Sequence, residues 1–212
     1  MQPDPGSLWL VVGLGNPGDE YDRTYHNLGF ATANLLASRH SARGSRWERM
    51  FGGRVKKPTV GGARVVILEP QTFMNLSGES VGPARGHLRL DLDRIVVIHD
   101  DVDLQPGDVR VKSGGGAGGH HGVESCIHHL GGPGFLRVRM GIGRHDRMPT
   151  ERFVLTRIPG NLAEVFERAV ERAADAVEMV IARGPAAAMN EVNRREARGD
   201  GGGDAGEEGD PG

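Results

Sequence analysis

Three polar side chains of this chain have the types and positions needed to hydrolyse an acyl bond. Asn16 and His26 follow the apolar run at residues 8–12, and Asp100 follows the apolar run at residues 95–98. A histidine oriented by an aspartate can take a proton from water, and the aspartate stabilises the imidazolium that forms. An asparagine side chain can donate a hydrogen bond to a developing oxyanion. The three residues therefore favour acyl hydrolysis by an activated water molecule.

Two nucleotide-binding motifs are weaker alternatives. Residues 13–18 formally match Gly-x-Gly-x-x-Gly, but that motif needs a helix at once and an acidic residue about 20 positions further on. Residues 19–25 have no helical apolar stripe, and residues 38–40 supply no acid. Lys112 and Ser113 precede a glycine run, which is the reverse of a phosphate-binding P-loop. The sequence favours neither class of nucleotide site.

A metal site is suggested by clustered histidines, but their spacing argues against it. The clusters are His99 with the aspartates that follow it, the pair His120 and His121, and the pair His128 and His129. Adjacent residues on a helix point about 100° apart, so each pair offers one ligand at best. The spacings His-Glu-x-x-His and Cys-x-x-Cys are absent, as is the serine motif Gly-x-Ser-x-Gly. We therefore expect no metal, no organic cofactor and no covalent nucleophile.

None of these polar residues, taken alone, is sufficient evidence for a catalytic site. A single histidine or asparagine in a loop is more often a turn or capping residue. Asn75 can be the N-cap of the helix that follows it, and Asp103 can simply shape a turn before residues 104–107. The hydrolytic interpretation depends on the residues meeting in one place.

Interleaved strands and helices supply the frame that would bring them together. The predicted strands lie at residues 8–12, 47–55, 64–68, 94–99, 109–112 and 136–142, with a hairpin turn at Gly61 and Gly62. The predicted helices lie at residues 26–40, from 78 to about 90, and at 123–130, 161–182 and 186–197. This pattern predicts an α/β fold, a single domain with a twisted mixed (mostly parallel) sheet flanked by helices. Ligand sites of such sheets lie beyond the carboxyl ends of parallel strands, so we expect Asn16 and Asp100 on the same edge.

Composition limits the setting of the protein. The chain has 212 residues, of which 37% are hydrophobic and 25% charged, as in ordinary globular proteins. No apolar run is long enough to span a membrane, and residues 1–7 lack the features of a secretory signal. The only cysteine is Cys126, so no internal disulfide can form and a reducing cytoplasm is expected.

The formal charge of −2 hides a division between the body and the C-terminal tail. Residues 198–212 hold five acidic residues against Arg198, a charge of −4, which leaves −2 − (−4) = +2 for the rest. Such a glycine-rich acidic segment cannot bury a core, so we expect a flexible tail at residues 1–7, one domain at 8–197 and a disordered tail at 198–212. A near-neutral body can still bind RNA if its basic residues cluster on one face.

Four segments, in order and spacing, resemble the bacterial peptidyl-tRNA hydrolase family. They are VVGLGNPGDEYDRTYHNLGF, EPQTFMNLSGESV, IVVIHDDVDLQPGDVRVKSGGGAGGHHGVESC and RVRMGIGR. The resemblance runs from about Leu8 to Asn193. It implies a monomeric cytoplasmic α/β enzyme without cofactors, which cleaves the ester between peptide and tRNA and so recycles tRNA dropped from ribosomes.

The resemblance also implies a role for individual residues. His26 would be the general base, Asp100 would orient and stabilise it, and Asn16 would lie beside it. The remaining matches would bind the substrate, with the cleft residues Tyr21, Phe73, Met74 and Asn75, the loop histidines His120 and His121, and the phosphate-facing Lys112 and Arg139.

One departure from the family pattern leaves an alternative open. The family usually has Gly-His-Asn-Gly in its glycine-rich loop, whereas this chain has His121 where the asparagine stands. Imidazole is only partly equivalent to an amide as a hydrogen-bonding group. We expect His121 to occupy the same place with weaker or more pH-dependent substrate binding. The alternatives are an RNA-binding protein of the same fold with weak or no catalysis, and a hydrolase of another ester.

Overall fold

An eight-stranded mixed sheet is the centre of the computed structural model, which describes residues 7–199 and side chains as far as Arg194. The strands are β1 (Leu8–Gly13), β2 (Glu48–Met50), β3 (Gly53–Lys56), β4 (Thr59–Val60), β5 (Ala63–Pro70), β6 (Ile95–Asp101), β7 (Val109–Ser113) and β8 (Leu136–Gly141). Their order across the sheet is β2-β3-β5-β1-β6-β8-β7, with β4 also paired to β5. The four central strands, β5-β1-β6-β8, are parallel, and the outer ones pair antiparallel.

Helices cover both faces of this sheet. They are α1 (Leu28–His40), α2 (Gly78–Leu88), α3 (His121–Leu130), α4 (Thr150–Phe153), α5 (Ala163–Arg183) and α6 (Pro185–Gly199). The core beside α1, α5 and α6 and the core beside α2 and α3 take alternate residues of the central strands. Because β1 and β6 are buried on both faces, they are continuous apolar runs rather than alternating ones. The single-domain mixed α/β fold predicted from the sequence is confirmed.

Several element boundaries differ from the predictions. The predicted strand at residues 47–55 is two strands, β2 and β3, because Phe51 and Gly52 form a turn with φ of 55° and 67°. The helix expected from residue 26 begins at Leu28, after a 3₁₀ turn at Tyr25–Asn27. The short helix α4 was not predicted, since four residues carry too little periodicity. The hairpin turn at residues 61–62 is confirmed by the pairing of β4 with β5.

Two predictions concern the limits of the domain. The predicted tails, residues 1–7 and 198–212, lie almost wholly outside the described residues, and the domain limits stay predictions. None of the helices described between residues 7 and 199 combines the length and apolar character needed to cross a lipid bilayer.

Candidate active site

The carboxyl ends of β1 and β6 meet the start of α1 at unusually close range. A β-carbon on Gly29 would lie 2.4 Å from the Leu14 carbonyl oxygen and 2.5 Å from that of Ile98, so only glycine fits there. The Leu14 N–H donates to the Ile98 carbonyl at 3.0 Å, which ties the two strand ends together. This close approach places the 3₁₀ turn that carries His26 directly over the end of β6.

His26 and Asp100 form a buried pair, although 74 positions separate them in the chain. The Nδ1–H of His26 donates to Oδ1 of Asp100 at 2.8 Å, and the two side chains are 10% and 2% exposed. The backbone N–H of His26 donates to the Val154 carbonyl at 2.9 Å, which fixes the turn from the other side. With Nδ1 protonated, Nε2 of His26 is left as an acceptor for a proton.

His120 is a second donor to the same carboxylate oxygen. Its Nε2–H donates to Oδ1 of Asp100 at 3.0 Å, and its Nδ1 accepts the N–H of Val123 at 3.3 Å as the N-cap of α3. These bonds define a neutral tautomer with the proton on Nε2. The rings of His26 and His120 have their centres 4.9 Å apart. One carboxylate oxygen thus orients two imidazoles.

The charge of Asp100 is set by two opposing effects. Burial raises the pKa of this carboxyl, but the electrostatic attraction of the His26 and His120 imidazoles and the hydrogen bonds that they donate outweigh burial and hold the pKa below its usual range. Asp100 is therefore ionised at neutral pH. His99 next to it is fully buried, and burial followed by the nearby His120 lowers its pKa to about 3. His99 is thus neutral, and its Nδ1–H donates to the Asp100 carbonyl at 2.7 Å.

Asn16 is held so that its amide nitrogen remains available. Its Oδ1 accepts the N–H of Met74 at 2.8 Å, and nothing among the described residues accepts from its Nδ2. The side chain of Asn27 clamps the backbone of Asn16, accepting from its N–H at 2.8 Å and donating to its carbonyl at 3.0 Å. Asn27 follows His26 directly in the chain, so its hydrogen bonds to Asn16 also fix the position of Asn16 relative to His26.

The predicted cleft residues cluster on two turns beside Asn16. Met74 is buried and Asn75 is exposed on a 3₁₀ turn that follows β5. Asn75 is not the N-cap of α2, which begins at Gly78. Phe73 is 57% exposed, an unusual state for a large apolar side chain, and Tyr21 is half-buried on the turn at residues 19–21.

The other predicted contact residues lie further out. His121 is the first residue of α3, its side chain is 61% exposed, and its Nδ1 lies 3.6 Å from Oε2 of Glu124. Lys112 is exposed on β7, and Arg139 on β8 forms an ion pair with Asp101 at 2.6 Å. Neither basic residue contacts His26 among the described contacts.

His26, Asp100 and His120 are also the residues that could hold a metal ion. Each offers one ligand atom, and these atoms lie within 4.8 Å of one another. Two imidazoles and a carboxylate suit several transition metals. Oδ1 of Asp100 already accepts hydrogen bonds from both His26 and His120, however. These two hydrogen bonds alone explain why the three side chains lie together.

Sequence reasoning did not assign roles to three residues that support this site. Asn27 and His99 brace Asn16 and Asp100, and Arg137 donates to carbonyls of the glycine-rich loop. Asn27 and His99 are neighbours in sequence of the predicted catalytic residues His26 and Asp100. A position in the sequence does not predict which group a side chain will hydrogen-bond. An arginine in a strand of an alternating pattern is expected to be exposed, whereas Arg137 is buried.

Known proteins resemble this chain in both sequence and structure. A sequence model described as peptidyl-tRNA hydrolase matches residues 10–199. The peptidyl-tRNA hydrolase of Anaeromyxobacter dehalogenans is 46% identical over 187 residues, which is 88% of this chain and 96% of the relative. That of Geobacillus kaustophilus is 42% identical, covering 87% and 98%. A crystal structure of peptidyl-tRNA hydrolase from Acinetobacter baumannii has a TM-score of 0.80 at 36% identity, covering 88% of this chain and 94% of the other.

Proposed function

Because the chain belongs to the peptidyl-tRNA hydrolase family, we propose that it hydrolyses the ester bond between peptide and tRNA with His26 as general base. The released tRNA returns to translation, and the peptide is freed as a carboxylic acid. The hydrogen bond of 2.8 Å between His26 and Asp100 is the observation that carries this mechanism.

In the first step, water attacks the ester carbonyl carbon. Nε2 of His26 takes a proton from the water as the new C–O bond forms, and the imidazolium is stabilised by the Asp100 carboxylate. The Nδ1–H bond to Asp100 fixes the tautomer that leaves Nε2 unprotonated in the resting enzyme. General-base assistance of this kind contributes about 10²- to 10⁴-fold to the rate.

The tetrahedral intermediate carries a negative charge on the former carbonyl oxygen. Nδ2 of Asn16 is a donor for this oxyanion, because its own Oδ1 is already bonded to the Met74 N–H. The intermediate then collapses, the C–O bond to the ribose breaks, and the imidazolium of His26 returns its proton to the leaving ribose oxygen. His26 is thereby returned to its starting state, and no covalent enzyme intermediate forms.

The remaining predicted residues bind the two ends of the substrate. Asn75, on its exposed turn, suits hydrogen bonding to the peptide backbone, a contact that tolerates any side chain. Phe73 offers an exposed aromatic face for stacking on a nucleobase. Lys112 and Arg139 are suited to phosphates of the tRNA. We also propose that the enzyme acts as a cytoplasmic monomer without metal or organic cofactor.

The test is to incubate the purified protein, after dialysis against EDTA, with an N-acetylated aminoacyl-tRNA and follow the release of deacylated tRNA. Hydrolysis is expected, with uncharged competitor tRNA acting as an inhibitor. Binding without release would favour the non-catalytic RNA-binding alternative that His121 suggests. Neither binding nor release would point to another ester substrate.

A further inference from the structure

Arg137 is buried beside the glycine-rich loop, which we define as residues 114–120. It lies on β8 opposite Lys112 of β7, and only 3% of its surface is exposed. Burying an arginine costs free energy unless its N–H groups are hydrogen-bonded. A like charge directly across the strand pair adds to that cost. The position of Arg137 therefore calls for a compensating interaction.

Two consecutive loop carbonyls provide this interaction. Nη1 of Arg137 donates to the Gly116 carbonyl at 2.6 Å, and Nη2 donates to the Gly115 carbonyl. Cζ lies 4.9 Å from the centre of the Phe135 ring, within the range of a cation–π contact. A planar guanidinium holds both carbonyls at once in a fixed fork, which a lysine ammonium does not reproduce.

The loop has few internal means of holding its shape. Gly114, Gly115, Gly118 and Gly119 all have positive φ, between 60° and 96°. Glycines lose the most backbone entropy on ordering and have no side chains to pack. Near its start, the loop is also tied by the Gly114 N–H, which donates at 3.0 Å to the carbonyl of Phe135, the residue just before β8. Arg137 and the residue just before β8 therefore hold the first part of this segment.

The far end of the loop reaches the catalytic carboxylate through His120, which donates to Asp100 at 3.0 Å. Building on the proposed function, we propose that Arg137 is a positioning residue, which holds the glycine-rich loop so that His120 keeps its hydrogen bond to Asp100. Arg137 touches neither the substrate nor the reacting atoms. It acts through the loop, then through His120, on the carboxylate that orients His26.

Steady-state kinetics of R137A and R137K on N-acetylaminoacyl-tRNA test this role. R137A is expected to lower kcat by about 10- to 100-fold with little change in KM, because the bound substrate meets a misplaced base. R137K should fall in between, since an ammonium reaches one carbonyl of the two. The acid limb of the kcat profile should move to higher pH in R137A, because an Asp100 that has lost the His120 donor stabilises the His26 imidazolium more strongly.

Chemical rescue separates positioning from general loss of stability. Millimolar guanidinium should restore much of the kcat of R137A, whereas equal urea should not. R85A is the matched control, because Arg85 likewise donates to two backbone carbonyls, those of Leu90 at 3.0 Å and Leu130 at 2.7 Å, away from the loop. R85A should lower Tm while leaving kcat and its pH profile unchanged.

Amide hydrogen exchange gives a readout that does not depend on activity. In R137A, the amides of residues 114–120 should exchange faster while those of α5 stay unchanged. If the wild-type protein hydrolysed no ester, the proposed function would fail, and the exchange result alone would decide the role of Arg137. Folded R137A with kcat within about twofold of wild type and unchanged loop exchange would overturn the proposal. If R137A does not fold, R137K with normal kcat and loop exchange would overturn it equally.

Discussion

His121 stands where the resemblance described above leads one to expect the asparagine of Gly-His-Asn-Gly. Its side chain is largely exposed at the start of α3, with Glu124 as a neighbour at 3.6 Å. An amide offers a donor and an acceptor at every pH, whereas a protonated imidazole loses its acceptor. We therefore expect H121N to raise kcat/KM severalfold, with the largest gain at the acid end of the range.

The measurement is kcat/KM of wild type and H121N on one N-acetylaminoacyl-tRNA across the pH range. H121A serves as the control, since it removes the imidazole without adding an amide. No gain for H121N at any pH would reject the hypothesis that His121 binds the substrate more weakly, or with more pH dependence, than an asparagine in the same place.

At the residue scale, the sequence predicted which polar residues lie at the candidate site but not how they contact one another. Asn16, His26 and Asp100 were singled out by type and by their place after apolar strands, and the resemblance gave each a role. The sharing of one carboxylate oxygen between two histidines was not predictable, because it depends on the path of the glycine-rich loop. The clamp of Asn27 on Asn16 depends equally on a tertiary turn.

At the element scale, the end of β5 holds a buried acid that the mechanism does not use. Glu69 lies opposite Arg54 across the pairing of β3 with β5, and its Oε2 accepts from Arg54 at 2.5 and 3.0 Å. Burial raises the pKa of Glu69 from 4.5 to about 7, against the attraction of Arg54. The folded state therefore binds the proton more tightly than the unfolded state does.

The sign of the effect on stability follows from this raised pKa. The contribution of Glu69 to the free energy of unfolding is fully present below the unfolded pKa of about 4.5 and is lost as pH rises through about 7. A shift of this size corresponds to about 3 kcal/mol. We expect wild type to lose up to that amount between about pH 5 and about pH 8, relative to E69Q, which keeps an acceptor for Arg54 but does not titrate.

Urea unfolding of wild type and E69Q at both pH values is the measurement. The difference between the two proteins should grow with pH in favour of E69Q. An equal pH dependence of the two proteins would show that Glu69 does not titrate in this interval.

Regular elements were easier to predict than the short turns that carry the site. Apolar runs and the helical stripe of α5 identified the central strands and the long helices. The 3₁₀ turns that hold His26 and Asn75 are too short to show a hydrophobic periodicity, so the sequence did not predict where they begin and end. The close packing of Gly29 on β1 and β6 also leaves no pattern in the sequence, since it is a contact between distant segments.

At the scale of the whole molecule, charge is distributed unevenly. Arg110 and Lys112 on β7 lie opposite Arg139 and Arg137 on β8, so four basic residues share one face of this strand pair. The acidic tail at residues 198–212 has a charge of −4, whereas the whole chain has a net charge of −2. The net charge therefore hides the basic face. Composition alone therefore allowed an RNA partner but did not locate it.

Salt dependence tests this basic face. K112A and R139A should each raise KM with little effect on kcat, and each should reduce the slope of log KM against log salt by roughly 1. The control is R168A, which removes an exposed arginine of α5 that is paired with Glu164. An unchanged slope in both variants would show that neither residue contacts a phosphate.

In the proposed mechanism, His26, oriented by Asp100, takes the proton from the attacking water. The most direct test of this role is the single-turnover release of deacylated tRNA at saturating enzyme by wild type and H26N, with the Kd for the substrate measured separately. H26N is expected to slow release by about 10²- to 10⁴-fold while Kd changes little. Release by H26N within about tenfold of the wild-type rate would contradict the role of His26 as general base.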